Sequence, residues 1–269
     1  MLYEFDKTDF MPDLGSQIEQ ALKSFTTHDL SGLSNSQLMN RIDSKFLLPI
    51  QSLTKILRAC SSYYSILTID NINLFQYDNV YFDTVDLDFY NNHHNRKLNR
   101  HKVRHRHYVD TKTSYLEVKF KNNKGRTVKN RCQSDQDPII SLTDNRSFLA
   151  SHGVDLSSIL IPHQSCSYKR LSLANDQSGE RLTLDLNVKF ASIHTNSKPS
   201  GNFMLSDFFI AELKQNKINR QSPFYKLMRE MGVRSKGFSK YCMGQTLTNN
   251  KHLKSNRFKA NLIRLKKEA

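Results

Sequence analysis

Cationic side chains recur at alternate positions in three consecutive segments near the middle of the chain. They are Lys102, Arg104 and Arg106, then Lys119 and Lys121 beside Glu117, then Lys129 and Arg131. Residues i and i+2 of an extended strand point to the same face, so each segment would present a row of cations. Guanidinium and ammonium groups are strong donors to phosphate oxygens. The spacing therefore predicts a surface that binds a chain of phosphates.

The same period occurs in other segments, where carboxylates stand among the cations. The sets that share a face are Arg41, Asp43 and Lys45; Tyr168 and Arg170; Arg181, Thr183, Asp185 and Asn187; and Glu212 and Lys214. Carboxylates placed among cations are suited to hold a divalent metal that bridges phosphate oxygens.

For any one strand, an ordinary solvated face opposite a hydrophobic core is the simpler interpretation. Two features of the whole set oppose it. Outer faces usually mix charges to avoid repulsion across strands, whereas here one segment after another carries the same sign. In addition, the apolar faces could pack outward against helices. The charged faces would then line a barrel interior, which a polyanion or counterions must occupy.

The net charge supports an anionic partner. The 269 residues include 40 Lys and Arg against 25 Asp and Glu, a formal charge of +15. This balance implies nucleic acid, a membrane surface or a small polyanion. The excess is local, because residues 96–131 hold thirteen Lys and Arg against Asp110 and Glu117, and residues 246–269 hold seven against Glu268. The length fits one large domain with extensions.

The cysteines and apolar segments bear on the cellular compartment. None of the four cysteines forms a CxxC pair, so neither a zinc site nor a disulfide framework is predicted. Reduced thiols indicate a cytosolic protein. The N-terminus lacks the pattern of a signal peptide, and no run of about eighteen apolar residues predicts a membrane span. We therefore expect a cytoplasmic location, with peripheral association at the inner face of a membrane left open.

The elements that would position these residues are mostly strands. Strand-like runs occupy 41–49, 79–84, 100–110, 114–122, 126–133, 165–175, 181–192 and 208–215. Helices are predicted near 15–25, 33–40, 52–60 and 137–151, and after the N-cap pair Ser222–Pro223. Asn123–Lys124–Gly125 predicts a hairpin turn. This pattern favours an antiparallel sheet or barrel over βαβ units.

Eight motifs in this order resemble the VTC domain, the catalytic domain of the vacuolar transporter chaperone polyphosphate polymerases. They are RIDSK (41–45), YFDT (81–84), KVRHRHY (102–108), LEVKFK (116–121), SYKR (167–170), RLTLDLNVKF (181–190), AELK (211–214) and GFSKYC (237–242). The resemblance implies the triphosphate tunnel metalloenzyme or CYTH-like superfamily. The implied fold is α+β and mainly antiparallel β, a closed eight-stranded tunnel barrel with flanking helices. It would occupy 38–245, between an N-terminal helical extension at 1–37 and a basic tail at 246–269.

The resemblance also implies an activity. Family members transfer the γ-phosphate of ATP to a growing polyphosphate chain and release ADP, with Mn²⁺ or Mg²⁺ as cofactor. The catalytic residues that it implies are Lys45, Arg104, Arg106, Lys119, Lys129, Arg170 and Lys240. The implied substrate-binding residues are Arg181, Tyr168, Ser239, Lys236 and Lys121. Glu212 and Glu117 would hold the metal. The expected partners are ATP, polyphosphate and a separate membrane protein, without specific nucleic acid.

One departure and two alternatives accompany this interpretation. The hydrolase branch of the superfamily opens with ExExK, whereas Arg41 and Asp43 stand at the glutamate positions, which favours a polymerase. A tripolyphosphate or polyphosphate hydrolase with the same tunnel is the first alternative. The second is a nucleic-acid-binding module or other non-catalytic polyanion binder, although the basic strands lack the usual aromatic interleaving.

Other features are ambiguous in the sequence. The histidines at 101, 105 and 107 have no recognised ligand spacing, so packing roles are favoured over a metal site. The tail could form a basic amphipathic helix that docks on an anionic membrane or a partner, or it could be a solvated terminus.

Overall fold

A computed structural model describes residues 12–31, 42–193, 201–248 and 253–267. The chain divides into two compact units. The first unit takes its described residues from Met1–Phe75, Lys169–Val188 and Leu205–Phe238; the second takes them from Gln76–Tyr168, Lys189–Met204 and Ser239–Ala269. Arg41 and the helix expected near 33–40 lie outside the described residues.

Eight of the eleven described strands correspond to the alternating runs in the sequence, and three short strands were not predicted. In chain order they are β1 Thr27–His28, β2 Ile42–Pro49, β3 Ser65–Leu67, β4 Leu74–Thr84, β5 Arg100–Tyr108, β6 Thr113–Lys121, β7 Thr127–Gln133, β8 Leu160–Asn175, β9 Glu180–Ser192, β10 Asn202–Leu205 and β11 Phe208–Gln215. The predicted hairpin turn is confirmed between β6 and β7, where Gly125 has φ +76° and donates its N–H to the Asn122 carbonyl.

Eight strands follow one hydrogen-bonded order, β2-β11-β9-β8-β4-β5-β6-β7. The pairings of β11 with β2 and β9, of β5 with β4 and β6, and of β6 with β7 are all antiparallel. The short pair β1–β3 is parallel. This confirms the mainly antiparallel α+β architecture. Within the described residues the order has two ends, β2 and β7, so hydrogen bonds do not show the predicted closure into a barrel.

Eight α-helices are present in the described part of the chain. They are α1 Pro12–Leu22, α2 Leu53–Ser61, α3 Asp88–His94, α4 Pro138–Asp144, α5 Arg146–Ser151, α6 Pro223–Glu230, α7 Lys240–Thr248 and α8 Lys259–Lys267. The prediction of a single helix over 137–151 is wrong, because the helix is interrupted at Asn145, between α4 and α5. The side-chain amide of Asn145 donates to the Ser141 carbonyl. Across the part of the chain that is described, no helix is long and apolar enough to cross a membrane.

Each unit packs the apolar faces of its strands against helices. In the first unit Leu182, Leu184 and Leu186 of β9 join Phe46 of β2 in one core. Helices α1, α2 and α6 contribute to that core through Ile18, Leu53, Ile56, Phe224 and Met228. Burying one such side chain stabilises the fold by roughly 1.5–3 kcal/mol.

The second unit repeats this arrangement with other strands. Val103 of β5 and Val118 of β6 are fully buried and pack with Phe89 of α3 and Leu149 of α5. Because successive side chains alternate across a strand, the charged residues between these apolar positions must point to the opposite face. The expectation that the apolar faces pack against helices is therefore confirmed in both units.

Candidate functional site

A group of charged residues lies on one face of β5, β6 and β7 in the second unit. The strand register places Arg104 opposite Glu117 and Lys119 opposite Lys129. Arg106 lies on the same face, two residues from Arg104. We call this set the Glu117 cluster; its members are Arg104, Arg106, Glu117, Lys119 and Lys129.

Glu117 is the carboxylate at the centre of this cluster, and its side chain is 0% exposed. Arg104 donates from Nε and Nη2 to Oε2, at 2.7 and 2.5 Å. Lys129 Nζ lies 2.6 Å from the other oxygen, Oε1. A buried carboxylate needs such partners, because an isolated ion in the interior is very costly. One carboxylate stands here among four cations, so the cluster keeps a net positive charge.

This excess of cations shifts the proton affinities. Burial raises the pKa of Glu117, but Arg104, Arg106, Lys129 and Lys119 together hold it well below its ordinary value. Burial lowers the pKa of Lys129 to about 8, and the attraction of Glu117 offsets this only in part. The Glu117 carboxylate is therefore charged at neutral pH, whereas Lys129 is easily deprotonated. An anion bound nearby would stabilise the charged form of this lysine.

Tyr168 of β8 brings a second set of predicted residues together in the same unit. Arg106 donates from Nη2 to the Tyr168 hydroxyl at 2.8 Å and from Nε to Asn79 Oδ1 at 3.0 Å. The Tyr168 ring stacks on Tyr77, with 5.3 Å between centroids. Lys240 Nζ lies 4.5 Å from the centroid of the Tyr168 ring. The hydroxyl and ring of Tyr168 thus orient two cations.

Helix α7 positions Lys240 at its first turn. Ser239 precedes the helix, and its Oγ accepts the Cys242 N–H at 3.3 Å and the Lys102 ammonium at 2.8 Å. Tyr241 donates its hydroxyl to Asp83 at 2.6 Å, which ties the helix to β4. A Cβ at Gly244 would collide with the Gln164 side chain, so glycine permits the close approach of the helix.

The first unit arranges its charges as ion pairs. Glu212 of β11 stands opposite Lys45 of β2, and Lys214 stands opposite Asp43. Lys45 Nζ lies 3.5 Å from Glu212, while Lys214 Nζ contacts Glu212 and lies 3.6 Å from Asp43. We call these four residues the Glu212 row.

Arg170 and Asp185 form a separate pair in the first unit. Arg170 donates from Nε and Nη2 to the two oxygens of Asp185, at 2.5 and 2.9 Å. This is the parallel two-bond geometry in which a guanidinium binds a carboxylate or a phosphate. Asp185 is fully buried and was not among the predicted site residues, although it shares a strand face with Arg181.

Three predicted residues are not brought into these groups by a described side-chain contact. Lys236 is exposed, and its backbone N–H donates to the Lys45 carbonyl. Arg181 is half-buried on β9, in register with Lys214. Lys121 ends β6 and stands opposite Arg100. The site also contains Lys102, which the sequence placed in the cationic row of β5 without a catalytic or binding role, and Asn79, for which the sequence carried no signal.

The carboxylates differ in their fitness to hold a divalent metal. Both oxygens of Glu117 face cations, and the residue is fully buried, so it offers no open ligand position. Glu212 is 12% exposed and pairs with the ammonium groups of Lys45 and Lys214. The described residues contain no group of three His, Cys, Asp or Glu side chains that could hold a metal. Glu212 alone fits a cation that takes its other ligands from phosphate oxygens and water.

The histidines of β5 occupy packing positions. His105 is buried on the face opposite Arg104, and its Nε2 hydrogen-bonds with the Asp135 carbonyl. His101 packs on Phe120, with 4.7 Å between ring centroids. These contacts agree with the packing role that the sequence favoured.

Comparisons with known proteins give one family match. A family model described as the VTC domain matches residues 40–249. No curated protein matches the chain significantly.

Solved structures show only distant similarity to the chain. One is a proposed adenylyl cyclase from Hippeastrum described as having a dominant triphosphatase activity, with 17% identity over 80% of this chain and 99% of that chain and a TM-score of 0.44. Another is a proposed adenylate cyclase from Vibrio parahaemolyticus, with 11% identity over 77% and 98% of the chains and the same TM-score. A Pyrococcus horikoshii protein reaches 0.42 at 11% identity, over 76% and 97% of the chains. Similarity this low supports no conclusion about activity.

Proposed function

The chain belongs to the VTC domain family, and we propose that it is an ATP-dependent polyphosphate polymerase. It would transfer the γ-phosphate of ATP to the terminal phosphate of a growing polyphosphate chain and release ADP. The observation that carries this proposal is the Glu117 cluster, in which four cations surround one carboxylate on the polar face of a sheet. Such a surface is suited to a ligand that carries several negative charges close together.

The proposed chemistry requires positioning and charge neutralisation. Phosphoryl transfer needs the attacking and leaving oxygens in line and the charge on the phosphoryl oxygens stabilised. Arg104 and Arg106 are held rigidly by Glu117, Asn79 and Tyr168, so their remaining N–H groups are preorganised donors. Lys119, Lys129 and Lys240 would add point charges along the phosphate chain. The acceptor phosphate is itself the nucleophile, so no serine, cysteine or histidine nucleophile is needed.

In the first unit, Arg170 and Lys45 are proposed as phosphate contacts and Glu212 as the metal ligand. Arg170 presents a guanidinium edge already aligned by Asp185, and Lys45 lies beside Glu212. A divalent Mn²⁺ or Mg²⁺ on Glu212 would neutralise charge on the phosphate oxygens. The lysines of the Glu212 row hold this carboxylate in place and can turn to phosphate oxygens. Arg181, Ser239, Lys121 and Lys236 are proposed as additional substrate contacts.

The state of Asp43 supports a polymerase over a hydrolase. Hydrolases of the superfamily carry a pair of glutamates at the start of the strand that corresponds to β2, and those glutamates help to bind metals. Here Asp43 forms an ion pair with Lys214, so its carboxylate is partly neutralised by a cation of its own chain. Because the cation Arg41 stands at the other glutamate position, one metal-binding acid of the hydrolases is missing, and the chain is less suited to activate a water molecule.

The closure of the eight strands into a tunnel and the boundaries at 38 and 245 are proposed from the family resemblance. A cytoplasmic location and a separate membrane partner are proposed from the sequence features described above.

The decisive experiment is incubation of the pure protein with ATP and Mn²⁺. We expect a polymer that stains as polyphosphate on a gel, with release of ADP. Release of orthophosphate without polymer would favour the hydrolase instead. Long DNA and tripolyphosphate are then compared as competitors of ATP at equal charge. If DNA displaced ATP as effectively as tripolyphosphate does, the nucleic-acid alternative would gain support.

Two substitutions connect this activity to the site. Lys240→Ala and Arg104→Ala should each lower the rate of polymer synthesis at least about 100-fold. Lys124→Ala removes the same charge from the exposed β6–β7 turn and serves as the matched control. Circular dichroism and urea denaturation establish that each variant is folded. Full activity in both site variants would overturn the assignment.

A further inference from the structure

Three cations lie together in the second unit, outside the Glu117 cluster. Arg100 begins β5 and Lys121 ends β6, and the two stand directly opposite each other in the strand register. By strand parity both share the face of Arg104 and Glu117. Arg257 is the third cation. We call Arg100, Lys121 and Arg257 the outer cation group.

Arg257 belongs to the C-terminal segment and is fixed near its two partners. It lies in the short 3-10 turn Asn256–Phe258, in which Phe258 is buried. The Arg257 guanidinium donates to the carbonyls of His93 and His94 at the end of α3. Carbonyls at a helix C-terminus are suited to a cation. Arg257 therefore holds a defined place, and it lies beyond residues 40–249, which match the family model.

The electrostatic surroundings of this group differ from those of the other cations. Burial lowers the pKa of Arg100 and of Lys121, and Arg257 lowers both further by repulsion. The side chain of Arg100 donates to the Lys97 carbonyl at 2.8 Å. Among the described residues, no carboxylate forms an ion pair with any of the three. Cations that repel one another without a carboxylate between them are arranged to accept an anion.

We propose that the outer cation group binds phosphates of the polymer beyond those held by the Glu117 cluster, which makes the protein prefer long linear phosphate chains. This inference rests on the proposed function for the identity of the ligand. Along β5, Arg100 lies four residues from Arg104, roughly 13 Å in an extended strand. The strands therefore lead from one cation group to the other, so a long chain can contact both. A ligand of three phosphates held at Arg104 lacks that reach.

The test compares two probes, tripolyphosphate and a polyphosphate of several tens of phosphates, whose affinities are measured by calorimetry without ATP. Wild type should bind the long chain more tightly per molecule than tripolyphosphate. Arg257→Ala should lower the ratio of the two affinities about fivefold, as expected for loss of one partly exposed charge contact. Arg257→Lys should recover part of that loss. Lys259→Ala removes an exposed charge two residues away and should leave the ratio unchanged.

A second variant covers the case in which loss of Arg257 loosens the C-terminal segment. Lys121→Met leaves the contacts of Arg257 with His93 and His94 intact and should lower the same ratio by a similar factor. An unchanged ratio in both Arg257→Ala and Lys121→Met would overturn the inference, as would an equal fall in Lys259→Ala. Because binding is measured without catalysis, these outcomes are separate from polymer synthesis, whose absence in wild type would contradict the proposed function instead.

Discussion

In the first unit Lys45, Lys214 and Arg170 each lie within 3.6 Å of a carboxylate, whereas in the second unit one carboxylate, Glu117, serves four cations. The first arrangement is close to neutral, and the second carries an excess of positive charge. Both are built on the same scaffold, the polar face of antiparallel strands whose apolar face packs on helices.

This difference indicates which unit needs a bound anion to balance its charge. Paired charges neutralise each other, so the first unit is complete without a ligand and can offer Glu212 to a metal. The second unit keeps Arg104 and Arg106 buried beside two lysines, an arrangement of like charges that a bound anion stabilises. We therefore expect the second unit to contribute most of the phosphate affinity and the first unit to contribute the response to metal.

The largest effect should come from removing the carboxylate on which the second unit depends. Glu117→Gln leaves the buried Arg104 without its counter-charge and should lower the free energy of unfolding by about 3 kcal/mol. Glu212→Gln should lower it by about 1 kcal/mol or less, because Lys214 keeps its ion pair with Asp43 and Lys45 is partly exposed. Urea denaturation in phosphate-free buffer measures both. Equal losses in the two variants would remove the contrast between the units.

An intermediate effect is expected for the metal response of the first unit. Mn²⁺ should raise the affinity of wild type for tripolyphosphate about tenfold, and Glu212→Gln should reduce this gain to less than about twofold, because the metal loses its carboxylate ligand. Removal of the metal with a chelator should make the two proteins similar. Glu230→Gln, the same change at an exposed position of α6, is the control and should respond to Mn²⁺ as wild type does. An undiminished gain in Glu212→Gln would show that the metal is held elsewhere.

The smallest effect is a pH dependence of the second unit. Lys129 is a cation only below its pKa of about 8, so the affinity of the protein for tripolyphosphate should fall as pH rises through that value. The charged groups that face this ammonium are Glu117, Arg104, Arg106 and Lys119. Between pH 7 and 9 wild type should lose about fivefold more affinity than Lys129→Arg, whose guanidinium does not titrate. Comparison at each pH cancels the titration of the ligand. Parallel profiles for the two proteins would contradict this role of Lys129.

Much of the fold and part of the site were predictable from local sequence. The alternation of Leu182, Leu184 and Leu186 with polar residues marks β9 and its buried face, and the structure confirms both. Asn145 was not recognised as a helix break, because the competition of its side chain with the backbone depends on geometry. Asp185 shared a face with predicted residues, but nothing in the sequence indicated that Arg170 would bind it.

The sequence by itself determined which residues share a strand face, because the period of two is a local property of the extended chain. It therefore determined that Lys102, Arg104 and Arg106 would form one cationic row. Only the tertiary structure decided which rows meet, because strand register depends on pairings between distant segments. The register places Glu117 beside Arg104 and Lys129, and Lys121 beside Arg100. The folding of the C-terminal segment brings Arg257 close to that last pair, and no local pattern encodes this contact.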